Sequence, residues 1–210
     1  MGLISLLLSN PGLFIILTPL LLYSVIMHEV AHGWVAYLFG DDTAMRSGRL
    51  SLNPISHLDP IGTIMLLIVG FGWAKPVPVD YSRLKNFRLG LISVSLAGCL
   101  TNILIATAAL FLFRFSAIGS NPLAVSLLSL VARINIILGA LNLIPIPPLD
   151  GSKILMGFLP RSGQIALARF DRYGLFLLMI LLFSGLLNPV IMFMQKMILG
   201  MIGSMLGVHT

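Results

Sequence analysis

"PLLLYSVIMHEVAHGWVAYLF", residues 19–39, is apolar enough and long enough to cross a bilayer, yet it carries His28, Glu29 and His32 within about one and a half helical turns. Ionisable groups at membrane depth are costly and most spanning helices carry none, so a trio of them needs an internal reason. On a helix His28 and His32 lie on one face, where two imidazole nitrogens can bind one divalent ion. Glu29, beside them, has the position of a general base acting on water held at such an ion. The simpler alternative is a buried hydrogen-bonded cluster.

Composition sets the surroundings of this helix. The chain has 210 residues, 58% hydrophobic and only 10% charged, with a mean hydropathy of +1.02, which defines an integral membrane protein. Its 13 Lys and Arg outnumber 7 Asp and Glu, a net charge of +6. In a membrane chain that excess reads as topology and contact with lipid headgroups, with no nucleic-acid partner implied. Cys99 is the single cysteine, so no disulfide framework exists. The opening "MGLISLLLSNPG" lacks a basic n-region and an A-x-A-like site, and the N-terminus is expected to be retained.

Spans are expected at 13–39, 89–114 and 122–144, with one or two more over 174–208, broken at "GLLNPV". Residues 61–73 are too short to cross and read as a re-entrant segment. Basic residues cluster at 46–88 and again at 153–172, which places both stretches in the cytoplasm and the N-terminus outside. The partly alternating "AMRSGRLSLNP", 44–54, predicts a small surface β element. The fold class is therefore an all-α polytopic membrane protein: a three-helix core plus C-terminal helices, with that β element and the re-entrant segment. We read residues 1–210 as a single domain, its core at 13–155 and its C-terminal helices at 174–208.

A catalytic zinc needs three protein ligands and an open position, so a third ligand must come from elsewhere. Asp150, in "NLIPIPPLDGSKIL", follows the third span on the side where the first one ends. Its carboxylate could complete a two-histidine, one-aspartate site, while Pro145, Pro147 and Pro148 leave extended backbone beside it. An ordinary turn aspartate before Gly151 is the competing reading. His57, in the His-x-Asp pair before Pro60, is either an additional or inhibitory ligand or an interfacial histidine that caps a turn. Arg133 and Asn135 within the third span read as packing residues.

The order of motifs resembles the site-2 protease family of intramembrane zinc metalloproteases. "HEVAH", "GRLSLNPISHLDPIGT", "GWAKPVPVD", "SLAGCLTN" and "NLIPIPPLDG" follow one another over residues 20–155, most similar to compact prokaryotic members without a PDZ or CBS domain. The resemblance implies Zn²⁺ held by His28, His32 and Asp150, with Glu29 as the catalytic base. It implies an endopeptidase acting on transmembrane protein or peptide substrates, in the cell membrane, with its site toward the cytoplasm. By the same analogy Asn142 and Asn102 are candidates for substrate positioning, although interhelical hydrogen bonding is the commoner task of a membrane Asn and the one expected of Asn102. The "RSGRLSL" edge and the "IPIPP" backbone are the expected receivers of an unwound substrate strand. The rival class, a transporter, would have to explain a base between two metal-spaced histidines and the lack of a visible inverted repeat.

Overall fold

A computed structural model describes residues 3–69, 72–113 and 119–207. Its helices, in chain order, are α1 (Leu3–Ser9), α2 (Pro11–Leu38), α3 (Thr43–Arg46), α4 (Pro54–His57), α5 (Pro60–Val69), α6 (Phe87–Leu112), α7 (Pro122–Asn142), α8 (Asp150–Phe158), α9 (Arg161–Phe183) and α10 (Asn188–Leu206), with a 3₁₀ turn at Tyr81–Arg83. Of these, α2, α6, α7 and α10 are long and apolar enough to cross a membrane. At 28 residues α2 is roughly 42 Å long and outreaches a hydrocarbon core.

Asparagine sets the starts of α2, α6 and α7. The Asn10 side chain accepts a hydrogen bond from the Leu13 N–H ahead of α2, Asn86 from Leu89 ahead of α6, and Asn121 from Leu123 and Ala124 ahead of α7. Pro11 and Pro122 follow two of these caps, where the missing proline N–H costs no intrahelical bond. At the last break Gly185 has φ +75° and α10 begins at Asn188-Pro189, so one C-terminal helix meets the spanning criteria. The first half of α9 instead carries Arg161, Arg169, Asp171 and Arg172.

The central helix is α6, packed against α2, α7 and α8. Of its apolar stretch 56% is buried, against 11% for α10, whose Phe193, Met197 and Met205 face outward as lipid-contacting groups. Gly90, Ala97, Gly98, Ala106 and Ala109 give α6 a small-residue surface that lets neighbouring backbones approach. Ala106 and Ala109 join Ile103, Ala132, Ile136, Ala140, Ile198 and Ile202 in the apolar core between α6, α7 and α10.

The expected re-entrant segment is a ten-residue helix, α5, roughly 15 Å long and too short to span; residues 70–71 of that stretch lie outside the described residues. Its ends are pinned together by the antiparallel Leu58–Ala74 bridge and by Lys75 N–H donating to the His57 carbonyl at 2.8 Å. A Cβ on Gly62 would fall 2.1 Å from the Trp73 carbonyl oxygen, so only glycine permits this close return.

Two local expectations are corrected. No strand forms over 44–54: Thr43–Arg46 is a helical turn, and Gly48 reverses the chain with φ +66°. The Arg49 guanidinium then donates to the Lys75 and Pro76 carbonyls, at 2.7 and 3.2 Å, occupying acceptors that a paired strand would need. Nor is "IPIPP" extended. Ile146 N–H donates to Ile144 O at 2.8 Å and Leu149 N–H to Ile146 O at 2.9 Å, so this stretch folds into successive turns.

Candidate metal centre

His28 and His32 lie on one face of α2 and both are buried. The turns after α7 bring Asp150 to them as the first residue of α8, a helix start that favours a carboxylate. The three side-chain ligand atoms converge. His28 Nε2 and Asp150 Oδ2 are 3.0 Å apart, His32 Nε2 and Asp150 Oδ2 3.1 Å, and the two Nε2 atoms 3.0 Å. A tetrahedral ion bonded at about 2.0 to 2.1 Å sets its ligands roughly 3.3 Å apart, so the donor set fits zinc with little adjustment. Two imidazoles and one carboxylate, with no fourth such side chain in the group among the described residues, match the three-ligand donor set of catalytic zinc rather than a closed structural site.

The His32 Nδ1 lies 2.6 Å from the Val94 carbonyl of α6. A carbonyl can only accept, so Nδ1 carries the proton and Nε2 keeps its lone pair for a ligand role. Opposite the pair stands Gly98, where a Cβ would lie 2.5 Å from His28 Nε2 and 2.6 Å from His32 Nε2. Any side chain at 98 would therefore occupy the space between α6 and the ligand atoms.

Glu29 is held from the other side. Its Oε2 accepts the Val77 N–H at 2.9 Å, from the segment 75–80 that lies across α2. One turn on, Gly33 gives this segment room: a Cβ there would meet Leu50, Val77 and Ala44 within 3.1 Å. Pro76 and Pro78 strip donors from the segment and leave the Val77 and Asp80 N–H groups as directed contacts. The second of these ends on Asp41, a fully buried carboxylate that also accepts from Thr43 N–H and from the Thr43 hydroxyl.

The remaining candidates sit apart from the ligand group. His57 is fully buried, with its Nε2 donating to the Ser51 carbonyl at 2.7 Å. Asn142 is half-buried and donates to Leu138 O of its own helix at 3.0 Å. Asn102 is fully buried and makes none of the interhelical bonds expected of it: neither amide atom has a hydrogen-bond partner among the described residues. One turn past Asp150, Lys153 Nζ lies 5.8 Å from the centroid of the Tyr81 ring. Burial pushes the Tyr81 hydroxyl above its ordinary value.

Sequence reading missed the Val94 carbonyl, the Val77 N–H and the spacing role of Gly98. The first two are backbone groups, which carry no residue signature. Gly98 left a trace in the small-residue run "AGC", though not its partner.

A membrane-embedded helical fold with a His-His-Asp centre and an adjacent glutamate defines a membrane metallopeptidase. Comparison with known proteins agrees with that class. Residues 118–185 match the model of Peptidase family M50. YwhC of Bacillus subtilis (strain 168), which carries a zinc metalloprotease name, is 41% identical over 173 residues, 79% of each chain. Rip2 of Mycolicibacterium smegmatis, named likewise, is 31% identical over 185 residues, 86% of this chain and 71% of that one. The zinc metalloprotease MJ0392 of Methanocaldococcus jannaschii is 27% identical over 182 residues, 86% of this chain and 45% of its own. No solved structure matches. The chain belongs to peptidase family M50, the site-2 proteases. With this family and this donor set it is a zinc metalloendopeptidase.

Proposed function

We propose that this chain cuts peptide bonds in or near the transmembrane segments of membrane-protein substrates, as in regulated intramembrane proteolysis, with His28, His32 and Asp150 holding zinc and Glu29 as general base. The observation that carries the reading is the convergence of three ligand atoms 3.0 to 3.1 Å apart, one residue from a glutamate, on a helix long enough to span. Bound zinc supplies a Lewis acid for the scissile carbonyl and lowers the pKa of water at the site. The chain's own groups do the rest. Glu29 takes the proton of the attacking water and returns it to the leaving amine. The Val94 carbonyl fixes the His32 ring, and the Val77 N–H orients the Glu29 carboxylate.

The domain is single and lies in the cell membrane, its N-terminus outside and its site toward the cytoplasm, a topology that the two basic clusters support. Asn142, the last residue of α7, is assigned to the substrate backbone, which its amide meets on leaving Leu138 O. The test is zinc content and cleavage of transmembrane peptides by the purified protein beside Glu29→Gln. About one zinc per chain in both is expected, with cleavage reduced at least a hundredfold in the variant. Well-folded protein without zinc, or a variant that cuts as fast as the parent, would sink the reading.

A further inference from the structure

The layer of the membrane core one turn from the ligand atoms, toward the start of α2, holds polar groups that the mechanism does not use. Val94 opposite His32 and Gly98 opposite His28 define an antiparallel register between α6 and α2. One further turn of that register sets Asn102 opposite Ser24. The third helix packs here as well: a Cβ on Gly139 of α7 would lie 3.8 Å from Asn102 Cβ, and one turn away Asn135 donates through Nδ2 to Ser24 Oγ at 2.9 Å. Ser24, Asn102 and Asn135 are all buried, the two asparagines completely.

Their hydrogen-bond capacity does not close within the protein. Ser24 gives its proton to Leu20 O at 2.7 Å, and Asn135 spends its second N–H on Val131 O at 2.9 Å. Asn135 Oδ1, both amide atoms of Asn102 and His28 Nδ1 have no partner among the described residues. Buried polar atoms are almost always satisfied, and within a bilayer no bulk solvent can do it. What remains is complementary. His28 Nδ1 carries a proton whenever Nε2 is a ligand, Asn102 offers two N–H groups, and the two amide oxygens accept.

We propose that Asn102 and Asn135, the latter oriented by Ser24, bind buried water beneath the metal centre, and that this water accepts the His28 Nδ1–H and fixes the ring as a ligand. Water accepting from His28 and Asn102 and donating to the Asn102 and Asn135 amide oxygens, as two linked molecules, uses the groups that protein contacts leave over, and a polar site with two to four partners is what a buried water needs. It completes for His28 what the Val94 carbonyl does for His32. Asn102 and Asn135 are then positioning residues acting through His28. The inference rests on the zinc reading above.

The test measures zinc affinity, by competition with a chromophoric chelator, and thermal unfolding of the metal-stripped protein, for the parent, Asn102→Leu, Asn135→Leu and Ser24→Ala. The leucine variants are expected to bind zinc about 10- to 100-fold more weakly. The metal-free melting temperature of Asn102→Leu should match or exceed the parent's, because an amide with no bond inside the protein has been exchanged for an apolar group of similar size. Asn135→Leu also loses its bonds to Ser24 and Val131 and is read by zinc affinity. A merely structural role predicts the reverse: lower metal-free stability with unchanged zinc affinity. If a leucine variant does not fold, Ser24→Ala, which only frees Asn135 to turn, should still weaken zinc. Unchanged zinc affinity in the folded variants overturns the water site alone, whereas a parent that binds no zinc overturns the proposed function and this inference with it.

Discussion

At Gly98 the space between α6 and the two histidines is smaller than a methyl group, since a Cβ would fall 2.5 Å from His28 Nε2. The histidines cannot retreat, because His32 is tied to the Val94 carbonyl on that same helix. A methyl at 98 must therefore push α6 off α2 or turn the rings away from Asp150. Overpacking of this kind costs about 1 to 3 kcal/mol. Gly98→Ala is expected to lower the melting temperature and to weaken zinc together, read by thermal unfolding and chelator competition. A variant that melts and binds zinc like the parent would mean that the α2–α6 spacing does not control the site. The four-residue spacing of His28 and His32 was readable because a membrane helix leaves so few other ionisable groups to consider. Asp150 needed the resemblance, since alone it reads equally well as a turn aspartate. The partners of the asparagines were out of reach: Asn135 meets Ser24 across 111 residues of sequence, a pairing that helix register sets and local pattern does not.

Among the elements, segment 75–80 connects Glu29 to the chain just past the end of α2. Its Val77 N–H holds Glu29 at 2.9 Å, and its far end is moored by Asp80 N–H to Asp41 Oδ2 at 2.7 Å. Asp41 itself lies just past the end of α2, so the helix that carries the histidines also carries the mooring. Asp41→Ala leaves the Thr43 and Asp80 N–H groups without their acceptor, at about 1 to 3 kcal/mol for each one that stays buried. The expected outcome is a lower melting temperature and slower cleavage, with about one zinc per chain retained, because the ligands sit on α2 and α8 rather than on the segment. Loss of zinc in parallel with activity would show instead that Asp41 supports the ligand helix itself. The absent β element belongs to this same neighbourhood. Alternation over 49–52 looks the same whether the partner edge is open or taken, and here the Arg49 side chain, 26 residues away in sequence, takes it.

For the whole molecule, the long apolar helices were legible because 20 or so apolar residues have few other uses. The short helix α5 followed from the same solvent argument, since ten residues cannot span. If the substrate is a transmembrane helix, as proposed, the architecture limits its route: α6 is central and closely packed, with no room for a further helix between α2 and α6. It would then reach the centre as an unwound strand, and unwinding breaks backbone hydrogen bonds that lipid cannot replace. Helix-breaking residues lower that cost in the free substrate, by about 1 kcal/mol for one glycine relative to alanine. If unwinding precedes cleavage, one Ala→Gly change beside the scissile bond should raise kcat/KM by up to about fivefold, since 1.36 kcal/mol is worth roughly tenfold. A proline placed outside the residues that contact the site should raise it further, because it costs a helix about 3 kcal/mol. The series is read as kcat/KM in proteoliposomes, with the same substitutions far from the cleavage site as the comparison. A rise confined to the neighbourhood of the scissile bond supports local unwinding; a flat series would mean that the strand is delivered already open.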